Sequence, residues 1–443
     1  MTQLTLILTL ALVVSGCTPE PPSIFPYDAR VEVLSNGLTI IMIPMESPGL
    51  VAYYSIVRTG SRDEVEPGKS GFAHFFEHMM FRGTKTYPGP LYDSLMTSIG
   101  ASTNAYTTDD YTAYHLNFAR EDLELVVRLE ADRFQNLSYE RAAFQTEAGA
   151  VYGEYRKSIT SPSMLLYETV QNCAFDVHTY KHTVIGFEQD IKAMPEAYDY
   201  SLSFFRRFYR PDNVVLIVAG DIQPEETLEL LRSHYGGWEP GYEAPAVNEE
   251  PPQKGERAAA VEYPGKTLPI LTLAYKGARF DPADRSYVAA LLLSDLAFGE
   301  TSELYRRLYL QDQTVEELSS SVPRNRDCPL FEITATVKRA EDIPLVQEAI
   351  EQTLVNFQRE PVDASTLERV KRHNKYAFLM NLDTPNKVAG GLARMVAISG
   401  GIEVLDRLYA AMDEVTVDDI QSAARTYYRP DRRTVVVLKG AGS

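Results

Sequence analysis

Phe208-Tyr209-Arg210-Pro211-Asp212 runs directly into Asn213-Val214-Val215-Leu216-Ile217-Val218-Ala219-Gly220, and the pattern returns near the other end of the chain. There Tyr427-Tyr428-Arg429-Pro430-Asp431 precedes Arg432-Arg433-Thr434-Val435-Val436-Val437-Leu438-Lys439-Gly440. Each apolar, β-branched run reads as a buried strand. Pro211 and Pro430 stand 219 positions apart. A second pair of strand ends matches as well: Ile56-Val57-Arg58-Thr59-Gly60-Ser61-Arg62 and Ala274-Tyr275-Lys276-Gly277-Ala278-Arg279. Gly60 and Gly277 are 217 apart. Two matches at nearly one spacing imply a tandem duplication of a unit of about 200 residues, the size of one domain.

Between the units, residues 238–257 are rich in Pro, Glu and Gly with no apolar period, so a linker falls there, centred near residue 245. Within the first unit, residues 31–34 and 38–43 flank Asn36-Gly37, a strong hairpin signal. Residues 50–58 read as another strand. Residues 71–81 have helical character, with Ser70 as the expected N-cap. Residues 102–107 and 111–118 form an expected strand pair joined through Asp109-Asp110. Helices are expected over 122–135, 141–157, 164–174 and 196–208. Strands, then helices, then a closing strand in each unit predict an α+β chain of two tandem sheet-plus-helix domains.

Composition narrows the class. The 443 residues are 44% hydrophobic and 23% charged, as in ordinary globular proteins, and the net charge of −18 argues against nucleic-acid binding. Residues 4–14 are an apolar run too short to span a bilayer, which reads as a signal-peptide core. Val14-Ser15-Gly16-Cys17 then resembles the lipobox of bacterial lipoproteins, with Cys17 the expected lipidation site, although no Lys or Arg precedes it. Thr18 at the following position resembles the outer-membrane sorting pattern. The expectation is therefore a chain lipid-anchored in the bacterial envelope and facing the periplasm. Cys173 and Cys328 are too far apart in sequence to suggest a framework and are expected to be buried free thiols.

The chemistry centres on His74-Phe75-Phe76-Glu77-His78. On a helix, positions i and i+4 stack on one face, so both imidazoles can meet one metal ion. Glu77 then stands beside the metal without having to bind it. This is the inverted order of the common zinc-peptidase motif. A catalytic zinc takes three protein ligands and leaves one position open. The expected helix at 141–157 offers Glu147 and Glu154, seven residues apart and hence on one face. One can bind metal while the other orients a ligand or moves protons. Nitrogen and oxygen ligands fit zinc, and also cobalt or manganese. His115, His178, His182, His234 and His373 have no metal-like spacing.

At these residues the chain resembles the pitrilysin and insulinase family of metallopeptidases, in the shorter branch related to mitochondrial processing peptidase. In that family the last zinc ligand lies about 75 residues beyond the second His, with another Glu seven before it. Glu154 and Glu147 fall at those places. The resemblance implies one Zn2+ per chain held by His74, His78 and Glu154, with Glu77 as general base and Glu147 as supporting acid. It also implies half of a clamshell, and substrate contact by the edge strand that carries Asn104 and Ala105. The organisation that follows is residues 1–17 signal segment, 18–30 tether, 31–236 zinc-binding catalytic domain, 237–257 linker, and 258–443 a second homologous domain without a metal motif.

One departure stands out. The family's second domain carries an Arg and a Tyr that hold the substrate carbonyl, but here Tyr309 and Glu316 stand at those places. The expected activity is zinc-dependent endopeptidase action on peptides or unfolded segments. The expected assembly is a heterodimer with a sibling that supplies the Arg-Tyr pair, or a homodimer using Arg306 or Arg307. The rival readings are a non-catalytic or partner-dependent binding subunit that keeps the fold, and a metal-dependent hydrolase of another bond.

Overall fold

A computed structural model describes residues 23–441. Cys17, the signal segment and residues 18–22 lie outside the described residues. The first sheet is built from β1 (Arg30–Val33), β2 (Thr39–Pro44), β3 (Leu50–Val57), β4 (Ser102–Thr107), β5 (Thr112–Ala119) and β6 (Val214–Gly220). The second contains β7 (Arg257–Tyr263), β8 (Ile270–Lys276), β9 (Val315–Ser321), β10 (Leu330–Val337) and β11 (Arg433–Gly440). Their spatial orders are β1-β2-β6-β3-β5-β4 and β7-β11-β8-β10-β9. With the added hairpin strand β1 set aside, the two orders are the same. In both, the strand after the Arg-Pro-Asp turn lies parallel to one neighbour and antiparallel to the other. The repeated sequence thus encodes a repeated topology, the expected pair of tandem sheet-plus-helix domains.

The helices of the first half are α1 (Phe72–Met79), α2 (Gly89–Ser98), α3 (Leu123–Asn136), α4 (Arg141–Ser158), α5 (Pro162–Ala174), α6 (Glu188–Ala193), α7 (Tyr198–Phe208) and α8 (Pro224–Tyr235). Those of the second are α9 (Arg285–Phe298), α10 (Glu303–Tyr305), α11 (Ile343–Arg359), α12 (Ala364–Met380), α13 (Pro385–Ser399), α14 (Val404–Glu414) and α15 (Val417–Tyr427). Helices α1, α8, α9 and α11 pack against their own sheets, but two others cross over. Helix α13 of the second half lies on β3 and β6, while α5 of the first half lies on β7, β8 and β11.

This exchange explains the uninterrupted apolar runs. Alternating side chains of β6 go to opposite cores: Val214, Leu216 and Val218 join the helices of the first half, and Val215, Ile217 and Ala219 meet α13. A strand covered on both faces has no solvent side on which to place polar residues. Likewise Val436 and Leu438 of β11 pack under Leu166, Val170 and Ala174 of α5, while Val435 faces the second domain's own core.

Several local expectations change. Ser70 does not cap α1; its hydroxyl donates to Asp190 at 2.6 Å and accepts the Phe187 N–H at 2.8 Å. Residue Gly71 occupies the N-cap place, in the left-handed region. The thiols are free, but Cys173 is half-buried and Cys328 is exposed, so neither is a core residue. From Ser23 onward the stretch expected as tether is docked: Asp406 accepts from Ser23 Oγ and the Ile24 N–H, Phe25 is buried, and Tyr27 donates to the Leu382 carbonyl. Among the described residues no single helix is long and apolar enough to cross a membrane.

Candidate metal centre

Helix α1 is held by its apolar side. Phe72, Phe75, Phe76 and Met79 are buried, and Phe76 stacks on Phe204 at 5.0 Å while Phe75 meets Phe144 edge-on at 5.1 Å. At its far end the Phe76 carbonyl accepts from the Tyr114 hydroxyl, which also pairs with Tyr209. With those faces fixed, His74, Glu77 and His78 emerge toward α4, which packs alongside.

Glu154 on α4 meets both imidazoles. Its Oε1 lies 3.6 Å from His74 Nε2, and its Oε2 lies 3.3 Å from His78 Nε2. One ligand atom from each of the three residues falls within 4.8 Å of the others. A tetrahedral ion with bonds of about 2.0–2.1 Å separates neighbouring ligand atoms by roughly 3.3–3.4 Å. The 3.3 Å between His78 Nε2 and Glu154 Oε2 matches that separation, and with one ligand atom from each residue within 4.8 Å a His₂Glu set for a divalent metal fits these residues. Glu147, two turns before Glu154, is buried and accepts from His78 Nδ1 at 2.9 Å. Its other oxygen pairs with Arg82. That bond assigns the Nδ1 proton and leaves Nε2 of His78 free toward Glu154.

Electrostatics agree with this division. Burial lowers the His74 pKa to about 4, so its imidazole is neutral and able to ligate at neutral pH. The contact with His78 pulls the Glu154 pKa down, which favours the carboxylate form that a metal ligand presents. Burial pushes the Glu77 pKa up, opposed by the Thr107 hydroxyl, which donates to Glu77 Oε2 at 2.6 Å. A carboxylate of raised basicity, oriented by one donor beside a triad that fits a metal ion, is suited to accept a proton.

Thr107 ends β4, the edge strand of the first sheet, and Asn104 and Ala105 lie on the same strand. Asn104 is exposed, Ala105 is buried, and Asn104 Oδ1 accepts the Ala105 N–H at 2.9 Å. The strand therefore leads from Asn104 to the partner of Glu77. In the second half, Tyr309 is partly exposed and stacks on Tyr305 at 4.9 Å, while Glu316 faces Lys338 at 3.8 Å. A cavity of about 820 Å³ also lies in that half, between α9, α11 and α12, and is lined by none of the five residues of the motif cluster. The sequence reading named His74, Glu77, His78, Glu147 and Glu154 but missed Arg82 and Thr107. Arg82 sits one turn beyond His78, where a search for the cation that neutralises Glu147 could have found it.

Comparison with known proteins agrees with the architecture. Residues 51–187 match the family described as Insulinase (Peptidase family M16), and residues 197–374 match Peptidase M16 inactive domain. The chain is 27% identical to the zinc protease PqqE of Helicobacter pylori over 97% of each chain. It is 24% identical to a probable mitochondrial-processing peptidase subunit beta of Schizosaccharomyces pombe, over 88% of this chain and 87% of that one. A crystal structure of a protease from Helicobacter pylori superposes with a TM-score of 0.87 at 27% identity, covering 93% of this chain and 99% of that one. The periplasmic protease PqqL from Escherichia coli shares the fold at a TM-score of 0.75 and 19% identity, and there 93% of this chain covers 48% of that one. With the inverted motif on α1, its two glutamates on α4 and a second domain of the same topology, the chain belongs to the insulinase family of peptidases, in the two-domain branch related to mitochondrial processing peptidase.

Proposed function

We propose that this chain is a zinc-dependent endopeptidase acting on peptides or unfolded segments. The observation that carries the reading is the convergence of His74, His78 and Glu154 within 4.8 Å, with Glu77 on the same helix as the two histidines. When bound there, zinc supplies a Lewis acid that polarises the scissile carbonyl and makes the attacking water more acidic. Glu77, aimed by Thr107, takes the proton from that water and delivers it to the leaving amine. Glu147 holds the His78 ring in the tautomer that directs Nε2 at the metal. The edge strand β4 is placed to pair with an extended peptide, with Asn104 and Ala105 along its path.

Glu77→Gln should keep about one zinc per chain and lose roughly a hundredfold or more in peptide turnover, the usual worth of a general base. Glu154→Ala should lose the metal together with the activity. Full activity in Glu77→Gln would remove the proposed base, and full zinc in Glu154→Ala would remove the proposed ligand.

A partner-dependent form of this reading is favoured by Tyr309 and Glu316. Neither is a cation, and an anionic carboxylate near a developing oxyanion would repel it. Loss of one oxyanion donor commonly costs about a hundred- to a thousandfold in turnover. We therefore propose that a second chain completes the site. The lone, zinc-loaded protein should cleave a mixed peptide library weakly, and addition of a sibling chain carrying the Arg-Tyr pair should raise the rate. Vigorous cleavage by the lone chain would refute the partner while leaving the peptidase reading intact.

A further inference from the structure

We infer that Glu64, ten residues before His74, is a positioning residue that fixes the start of α1 and thereby the two imidazoles of the metal site. The inference rests on the zinc reading above. Helix α1 begins at Phe72 with Gly71 as its N-cap, and glycine has no side chain with which to satisfy the open N–H groups of the first turn. Glu64 supplies the missing acceptor from outside the helix. Its Oε2 accepts the Gly71 N–H and its Oε1 accepts the Ala73 N–H, both at 2.6 Å. The side chain is fully buried. Burial pushes its carboxyl group well above the usual carboxylate range, against the pull of the two N–H donors, and both oxygens retain lone pairs to accept in either protonation state.

The place of the cap matters more than its strength. Ala73 immediately precedes His74, so the Ala73 N–H bond fixes the backbone one residue from a proposed ligand. The neighbouring contacts leave the helix start no slack. A Cβ on Gly71 would stand 2.4 Å from the Ile185 carbonyl oxygen, and Ser70 is pinned by Asp190 and the Phe187 N–H. Without Glu64, two buried N–H groups lose their acceptor, and the first turn must shift or fray to find another. His74 is carried by that turn, whereas Glu154 on α4 is not. Groups that orient ligands without touching the metal are typically worth about 10–100-fold in metal affinity.

The test compares Glu64→Gln and Glu64→Ala with Asn36→Ala as a matched control. Asn36 also satisfies buried backbone groups, donating to the Tyr235 and Trp238 carbonyls, but it lies on the β1–β2 turn away from α1. Zinc affinity is read by competition with a chelating dye, stability by urea midpoint, and the helix start by hydrogen exchange of the metal-free proteins. Both Glu64 variants should bind zinc about tenfold or more weakly, Gln less affected than Ala because it keeps one acceptor oxygen. Exchange should quicken across the first turn of α1 and not elsewhere in that domain. Asn36→Ala should lower the urea midpoint with zinc affinity within about twofold of the parent. Unchanged zinc affinity in the Glu64 variants, or an equal loss in Asn36→Ala, would reduce Glu64 to a general stabiliser and overturn the inference. Failure of the parent protein to bind zinc would instead sink the zinc reading, and unchanged exchange at the start of α1 would then still refute the positioning role.

Discussion

Glu147 is the residue that spacing leaves most open and the folded chain constrains most. Spacing alone put it on the face of Glu154 and left open whether it moved protons or oriented a ligand. In the folded chain it is buried between His78 Nδ1 and Arg82, with its two oxygens engaged by those two groups. These contacts favour the proposed orienting role, because a carboxylate with both oxygens engaged has little freedom to shuttle protons. Glu147→Gln should weaken zinc affinity by about 10–100-fold, and Arg82→Ala should do the same to a lesser degree through Glu147. Chelator competition checks both. Undiminished zinc affinity in Glu147→Gln would show that His78 needs no help from α4.

At the level of elements, β4 matters because it is an edge. A strand with one unpaired side is a liability unless something occupies it or blunts it. Here Asn104 Oδ1 engages the Ala105 N–H, and the strand ends at Thr107 beside Glu77. A peptide added along this edge would run toward the base. Asn104→Ala should therefore raise KM for extended peptides severalfold while leaving zinc affinity and melting temperature unchanged, since its side chain is exposed. Steady-state kinetics over a range of peptide concentrations decide it. A drop in kcat with unchanged KM would place Asn104 in the chemical step and not in substrate pairing.

For the whole molecule, the exchange of α5 and α13 makes the two domains mutually dependent. A first half cut at residue 236 would leave Tyr54 and Ile56 of β3 and Val215 and Ile217 of β6 without α13, an exposed apolar face of the kind that drives aggregation. Each half expressed alone should be insoluble or molten, and co-expression should restore a soluble complex; a monomeric, cooperatively folding first half would contradict this.

A partly buried ionic latch also joins the halves. Asp327 of the second accepts from Arg62 at 2.6 Å and His178 at 2.9 Å in the first. Burial works to raise the Asp327 pKa, but the His178 and Arg62 hydrogen bonds outweigh it and hold the carboxyl group well below its ordinary 3.8. A depressed pKa stabilises above the unfolded value and loses that contribution as pH falls toward the folded one. The stability gap between the parent and Asp327→Asn should therefore be constant at neutral pH and shrink below pH of about 4. Urea titrations at several pH values measure it, and a gap independent of pH would mean that the latch carries no charge-dependent stability.

The sequence by itself determined the duplication, the α+β class and the hairpin at Asn36-Gly37, because strand runs, turn residues and repeat offsets are local or periodic signals. It also determined the geometry of the helix from His74 to His78, where helical periodicity alone sets which side chains share a face. Helix α8 is legible too, with Pro224 at its first position, Glu225 and Glu226 behind it, and Leu228 and Leu231 on one face. Helix α2 was not legible in that way, since Tyr92 and Met96 are its only large buried side chains. Only the tertiary structure decided that Glu64 and not Ser70 caps α1, that Arg82 completes the His78–Glu147 contact, and that α5 and α13 change places. Each joins groups whose pairing no period or propensity records. A buried carboxylate finds its donors, and an apolar sheet face finds its cover, wherever the packed chain brings them.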